Sequence, residues 1–319
     1  MLAQSLKAPI LLGSATPSVE SYWLARNGRY VLVTLSQRYG SAPNPEMVVV
    51  DREASFKKNL MTGMFSWDLL QAIRETEAKG GQILLFQNRR GFSSSVVCPT
   101  CGWTPTCPNC GISLNRHRNG SVLSCHYCGH HEPEPRQCPK CGTTDLKDKG
   151  YGTERVVEEF QQQFPQLSVE RLDVDSTSRK DAYTEILQRF ASGQTRVLVG
   201  TQMIAKGLDF AGVALVGVIN ADNLLTMPDF RAAERAFQLL VQVAGRAGRR
   251  LERGKVVLQA SSVDAEVLEA VRNYDYARFF ERQIQERRDF RYPPFVRIVR
   301  LELRHRDAAD LERMAVHIA

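Results

Sequence analysis

Four Cys-x-x-Cys pairs fall within one stretch of this chain: Cys98/Cys101, Cys107/Cys110, Cys125/Cys128 and Cys138/Cys141. They account for all 8 cysteines, and a glycine follows each pair (Gly102, Gly111, Gly129, Gly142). Two thiolates separated by two residues can grip one tetrahedral ion, and the glycine lets the backbone bend so that amides face the sulfurs. Eight thiolates in four pairs make two all-thiolate sites of four ligands each. The competing reading is a disulfide framework, which belongs to small secreted proteins. No signal peptide is read in this chain, so two structural Zn2+ ions are expected instead.

The spacing also bears on which pairs share an ion. Asn119-Gly120 lies between two alternating runs, a strong hairpin signal that brings the second and third pairs together. The short spacers on either side then carry the first and fourth pairs toward each other, and nesting adds little loop-closure entropy. The expected sets are Cys107, Cys110, Cys125 and Cys128 on one ion, and Cys98, Cys101, Cys138 and Cys141 on the other. Sequential pairing is the alternative, opposed by the short link from Cys101 to Cys107. His117, His126, His130 and His131 are spare donors beside sufficient thiolates, and are read as solvated surface.

The 319 residues exceed one average domain and can bury a substantial core. No apolar run approaches the ~20 residues of a membrane span. A formal charge of +7 suits a polyanion partner without requiring one. The cytoplasm is the expected compartment.

Ala8 to Leu12 reads as a buried strand, Gly13 to Ser18 as the turn out of it, and Val19 to Ala25 as a helix. A lone strand and helix cannot make a sheet, so this segment needs partners. Further strands are expected at Val31–Leu35, Val48–Asp51, Gln82–Phe86, Ser168–Leu172, Arg196–Val199, Ala214–Asn220 and Lys255–Gln259. Helices are expected at Trp67–Lys79, Thr153–Phe164, Ser178–Ala191, Asp229–Ala244 and Asp307–Ala319. Strands alternating with helices predict an α/β fold with a mostly parallel sheet covered on both faces, interrupted by the cysteine module.

Two loops carry chemistry. Gly200-Thr201-Gln202 leads to Lys206-Gly207 and Asp209, at the carboxyl end of a parallel strand where such sheets bind ligands. Gln242-Val243-Ala244-Gly245-Arg246-Ala247-Gly248-Arg249 ends the long helix. Its small residues aim two guanidiniums three apart from a tight backbone, as a phosphate clamp or arginine finger would require. The bland reading is a basic helix end that complements the macrodipole. A nucleotide role requires Arg246 and Arg249 to reach the Thr201–Gly207 turn at the carboxyl edge of the sheet.

Gly13-Ser14-Ala15-Thr16-Pro17, Gly200-Thr201-Gln202…Lys206-Gly207 and Gln242…Gly245-Arg246-Ala247-Gly248-Arg249 resemble motifs III, V and VI of superfamily 2 helicases. Asn88-Arg89-Arg90-Gly91-Phe92, directly ahead of an eight-cysteine insertion, resembles the primosomal replication-restart DNA helicases, the PriA family. So do Asp173 to Lys180, Pro228 to Arg235, and Glu286-Arg287-Arg288…Pro293-Pro294-Phe295 ahead of a basic strand at Val296–Leu303. The resemblance implies ATP-driven 3′-to-5′ unwinding at stalled forks, with ATP and Mg2+ in the complete enzyme and two zinc ions in the nested arrangement. It implies forked or single-stranded DNA, primosome proteins and single-strand DNA-binding protein as partners, no membrane, and a monomer. Arg246 and Arg249 would face the ATP γ-phosphate, with Gln242, Gly245 and Gly207 at the same cleft. Thr201, Gln202, Lys206, Arg89 and Arg90 would serve DNA contact and its coupling to hydrolysis, and Ser14, Ala15 and Thr16 would couple the two lobes.

No Gly-x-x-x-x-Gly-Lys-[Ser/Thr] loop occurs in the chain, nor an Asp-Glu-x-His after a strand. The resemblance places both ahead of motif III, so a fragment without hydrolysis of its own is expected. Residues 1–26 would be the tail of lobe one. Residues 27–97 and 147–262 would form a RecA-like lobe two, with 98–146 its zinc insertion. Residues 263–319 would start an α+β C-terminal domain. Two other classes stay open: a non-catalytic zinc-bearing protein that binds DNA or primosome proteins, and a different two-lobed translocase, against which the cysteine insertion argues.

Overall fold

The computed structural model describes residues 5–35, 43–87, 94–98, 103–109, 114–116, 122–125, 128–144, 146–148, 152–173, 176–177, 181–205, 210–225, 229–248, 253–261, 265–299, 301, 303 and 308–318. In chain order the elements begin with α1 (Val19–Arg26), β1 (Glu46–Asp51), α2 (Arg52–Lys57), β2 (Met61–Thr62), β3 (Phe65–Ser66), α3 (Trp67–Ala78) and β4 (Gln82–Phe86). The cysteine region holds β5 (Ser94–Val97), β6 (Asn115–Arg116), β7 (Val122–Ser124), β8 (His131–Pro133) and β9 (Lys147–Asp148). There follow α4 (Thr153–Gln163), β10 (Val169–Leu172), α5 (Ala182–Ala191), β11 (Val197–Gly200), β12 (Val213–Val218), α6 (Asp222–Leu225), α7 (Ala232–Ala244), β13 (Lys255–Ala260), α8 (Ala265–Arg272), α9 (Tyr276–Asp289) and α10 (Ala308–Ile318).

The chain divides into two units, residues 35–275 and residues 1–34 with 276–319. The larger is built on a six-stranded sheet in the order β1-β13-β12-β4-β11-β10, and every pairing in it is parallel. The α/β class is the one expected, and the reason is visible in β4. Its five residues Gln-Ile-Leu-Leu-Phe are all buried, as a central strand with both faces covered must be. On one face Ile83, Leu85, Val197, Val199, Leu215 and Val257 meet Leu69 and Ile73 of α3 and Val156 and Phe160 of α4 in one core. Helix α3 starts where Ser66 accepts the Leu69 amide (3.3 Å) and stops at Gly80, whose φ of +73° favours glycine. A buried glutamine ties the layers together. The Gln259 carbonyl accepts from Ser66 N–H (2.6 Å), and its amide donates to the carbonyls of Met64 and Ile219 (both 2.9 Å).

The cysteine region is a separate antiparallel sheet in the order β8-β7-β6-β5-β9. It interrupts the parallel sheet between β4 and β10 in sequence, as an insertion does. Asn115 and Arg116 pair with Ser124 and Leu123, the hairpin expected there. Asn119-Gly120 itself lies outside the described residues.

In the smaller unit α1 lies against α9. Tyr22 meets Tyr276 and Phe280 edge-on at centroid distances of 5.2 and 4.7 Å, and Trp23 meets Phe295 at 5.7 Å. Arg287, 1% exposed, pairs with Glu20 at 3.1 Å.

Three expected strands are corrected. Ala8–Leu12 and Val31–Leu35 have no strand assignment, and Leu11 and Val31 are 95% and 94% exposed. The described residues from 296 to 303 form no strand either, and Val299 and Leu301 are exposed. Each is apolar enough for a strand, but among the described residues no neighbour pairs with its backbone, and a strand exists only as part of a ladder.

Candidate nucleotide cleft and thiolate sites

The turn after α7 is where the two chemical loops meet. Helix α7 packs Phe237, Leu240 and Val243 into the core and ends at Gly245, whose N–H donates to the Val241 carbonyl (2.9 Å). Arg246 follows, and its guanidinium donates to the carbonyl of Ala205. Ala205 closes the 3-10 turn Gln202–Ala205 that comes directly after β11 and Thr201. Thr201 is buried and accepts the Ile204 amide on its own carbonyl (3.1 Å). Arg246 and the Thr201 loop, 41 residues apart in sequence, are therefore joined by a charge-assisted hydrogen bond. Gln202 is half-buried beside them, and Gln242 is exposed on the last turn of α7.

The edge of the sheet needs correction. Gly248 N–H donates to the carbonyl of Val213, the first residue of β12 (3.0 Å), so the arginine turn lies at the amino end of that strand. A helix that follows a parallel strand must run back before the next strand begins, which puts its end at the opposite edge. Arg246 still reaches the Thr201 loop because that loop leaves the carboxyl end of β11 and comes back toward the start of β12.

Two glycines enforce these approaches. A Cβ on Gly200 would sit 2.8 Å from the Leu172 carbonyl oxygen and 2.5 Å from Ile204 Cγ2. A Cβ on Gly254 would sit 2.5 Å from both the Ala247 carbonyl carbon and the Gly248 nitrogen. Sequence reading passed over Gly254, because nothing local marks a glycine as the floor of a turn several residues before it.

Arg89, Arg90, Lys206, Gly207, Asp209 and Arg249 lie outside the described residues. Ser14, Ala15 and Thr16 belong to the smaller unit. Ser14 Oγ accepts the Thr16 amide (3.1 Å), and Pro17 carbonyl accepts from the Tyr276 hydroxyl (2.9 Å).

The thiolates gather in two groups, Cys98 with Cys138 and Cys141, and Cys107 with Cys125 and Cys128, each with its sulfurs within 4.8 Å of one another. This is the grouping that nested pairing requires. Cys98 and Cys141 sulfurs are 3.4 Å apart, as are those of Cys107 and Cys128. A disulfide needs about 2.05 Å. A tetrahedral metal with sulfurs at about 2.3 Å sets them about 3.8 Å apart. The donor set thus fits a zinc ion in each group, with the fourth thiolates, Cys101 and Cys110, outside the described residues. Around them the backbone forms knuckles. Gly129 and Gly142 donate to the carbonyls of Cys125 (2.9 Å) and Cys138 (2.8 Å) with φ of +76° and +77°, a conformation that favours glycine. Cys128 N–H points at Cys125 Sγ (3.5 Å). His130 instead faces Glu132 at 3.6 Å, and His131 is exposed. His117 and His126 are not among the described residues.

Comparison with known proteins places this geometry. The family model "Helicase conserved C-terminal domain" matches residues 149–250, and "PriA DNA helicase Cys-rich region (CRR) domain" matches residues 107–133. The chain is 44% identical over 317 residues to "Replication restart protein PriA" of Bacillus subtilis, covering 99% of this chain and 39% of that protein. It is 41% identical over 326 residues to the protein of that name from Synechocystis, again covering 99% of this chain and 39% of the relative. The chain therefore spans 39% of the length of these curated relatives. Among solved structures, RecG bound to a three-way DNA junction is similar at a TM-score of 0.48 and 14% identity, covering 96% of this chain and 30% of that one. In the described residues no helix is long and apolar enough to cross a membrane.

Proposed function

From the premise that this chain belongs, over the part of their length it spans, to the family of the replication restart proteins PriA, we propose that it is the second motor lobe of an ATP-dependent 3′-to-5′ DNA helicase. In this reading residues 27–97 and 147–262 form the lobe, 98–146 its zinc-bearing insertion, 1–26 the tail of the first lobe and 263–319 the start of a further domain. Its work is at stalled replication forks, on forked or single-stranded DNA, alongside primosome proteins and single-strand DNA-binding protein.

The observation that carries this is the bond from Arg246 to Ala205. It holds the guanidinium on the loop that Thr201 and Gln202 begin, so a shift of that loop by DNA moves the arginine, and the reverse. A guanidinium placed on the γ-phosphate stabilises the charge that develops on its oxygens as the phosphoryl group transfers to water. Arg249 would act beside it, with Gly245, Gln242 and Gly207 along the same wall; Mg2+, when bound with ATP, would supply further positive charge against the phosphates. Lys206, Arg89 and Arg90 supply positive charge for the DNA backbone. In the insertion Cys98, Cys101, Cys138 and Cys141 would hold one Zn2+, and Cys107, Cys110, Cys125 and Cys128 the second. The ions cross-link backbone that has little core of its own.

The 319 residues contain no phosphate-binding Gly-x-x-x-x-Gly-Lys-[Ser/Thr] loop. The test therefore uses a protein that joins this lobe to one that has the loop. Arg246→Ala and Arg249→Ala are each expected to lower DNA-stimulated ATP hydrolysis there by roughly 10³-fold with ATP binding largely kept. Hydrolysis at the unaltered rate in both variants would remove the motor assignment. It would leave the reading as a non-catalytic zinc-bearing protein that binds DNA or primosome proteins.

A further inference from the structure

Helix α9 ends in a turn that the motor reading does not use. Tyr292 N–H donates to the Arg287 carbonyl (2.7 Å) and Arg291 N–H to the Arg288 carbonyl (3.3 Å), the paired bonds of a Schellman cap. The residue that donates the second of these bonds takes the left-handed conformation, a position where glycine is strongly favoured and an L side chain is disfavoured. Here it is Arg291, at φ +54°. A side chain kept where the backbone prefers none points to a use for that side chain.

What surrounds Arg291 suggests the use. Phe290, one residue before, is 67% exposed, and its ring stacks against Tyr292 at 6.3 Å with 30° between the planes. Arg288 is exposed with its guanidinium 5.1 Å from the centre of the Phe295 ring, and Arg297 is exposed just beyond. The one acid within this run, Asp289, accepts from the Gln285 amide (2.8 Å), and no ion pair joins it to these arginines among the described residues. An aromatic pair, Phe290 exposed and Tyr292 half-buried behind it, set among three exposed arginines combines the two things a single strand of nucleic acid needs, a stacking platform for bases and cations for the backbone.

We propose that this turn, with Phe290 and Tyr292 as platform and Arg288, Arg291 and Arg297 as phosphate contacts, is a binding site for single-stranded DNA outside the motor lobe. The inference rests on the DNA reading above and adds a second place of contact to it. Val299 and Leu301 further along are exposed and apolar, which suits protein cover on that segment; the charge around Phe290 favours a polyanion at the turn.

The test is binding of a dye-labelled oligothymidylate to the 319-residue chain, followed by fluorescence anisotropy at several salt concentrations. Phe290→Ala is expected to weaken binding about 10-fold with the salt dependence unchanged, since it removes stacking and no charge. Arg291→Gly is expected to lower the slope of log affinity against log salt by about 0.7, the value of one phosphate contact on a single strand. This second variant places glycine where the backbone favours it, so its melting temperature should stay level or rise while binding falls. That combination separates a lost contact from a damaged fold. If the unaltered chain binds no oligonucleotide, the DNA reading fails and this site with it. If the unaltered chain binds and both variants bind equally well, the DNA reading stands and this site is wrong. A change of oligomeric state in Phe290→Ala with oligonucleotide binding kept would assign the ring to protein cover and overturn the site as well.

Discussion

Gly254 has backbone on the side where a Cβ would stand, and the atoms it would strike belong to Ala247 and Gly248, next to Arg246. Backbone cannot rotate away as a side chain can. Gly254→Ala is therefore expected to cost about 1–3 kcal/mol by overpacking, read as a lower urea midpoint with the m-value unchanged. It should also displace the Arg246 turn, so a companion measurement is hydrolysis in the two-lobed protein, which should fall with no charged group altered. At this scale the sequence revealed residue types and missed partners. The two arginines and the Gly-Thr-Gln run were legible because their spacing is local. The acceptor of Arg246 was not, because it is a main-chain carbonyl of Ala205, and a carbonyl leaves no mark on the residue that carries it.

The cysteine insertion is the element whose stability is most unlike the rest. Its core among the described residues is Val96, Leu114, Leu123, Cys107 and Cys125, with Leu146 packed beside it. So small a cluster does not offset the conformational entropy of ordering the strands around it. Structural zinc supplies on the order of 10–16 kcal/mol in small modules, so removal by a strong chelator is expected to unfold the insertion. The six-stranded sheet, which has its own core, should stay folded through that treatment, and hydrogen exchange resolved by peptide would separate the two. The nested arrangement has its own test. A Cys98→Ser, Cys138→Ser double variant removes two ligands from one nested site and should lose one zinc ion per chain. Under sequential pairing the same change strikes both sites, and both ions should leave. Pairing was legible to the extent that Asn119-Gly120 and two short spacers imply it; the sulfur positions that carry it depend on β6 meeting β7 and on the knuckle turns at Gly129 and Gly142.

Across the whole molecule the division into units departs from the order of the chain. Residues 1–34 group with 276–319, and the bond between them is specific: Arg287 is buried and faces Glu20, and Tyr22 lies edge-on to two rings of α9. Arg287→Ala would leave the Glu20 carboxylate without this partner in a partly buried place. The expected cost is about 3 kcal/mol, toward the low end for a broken buried pair because Glu20 keeps some access to water. Hydrogen exchange should then quicken across Val19–Arg26 and Tyr276–Asp289 and stay unchanged in the strands of the larger unit. Exchange that quickens equally in both would show that the two units unfold together.

By itself the sequence determined the parallel α/β class, the central strands, the helices begun at Trp67 and Thr153, and the thiolate donor set. Each of these is set by neighbours in the chain: by short apolar runs, by helical spacing, by two cysteines three positions apart. Tertiary structure decided which apolar runs become strands, which edge of the sheet the arginine turn occupies, and which distant segments share a unit. Ala8–Leu12 and Val31–Leu35 have strand-like composition and no ladder, whereas Val48–Asp51 has one through β13, more than two hundred residues later in the numbering. A strand, a buried ion pair and a guanidinium's acceptor each need a partner brought from elsewhere in the chain, and only the folded molecule names that partner.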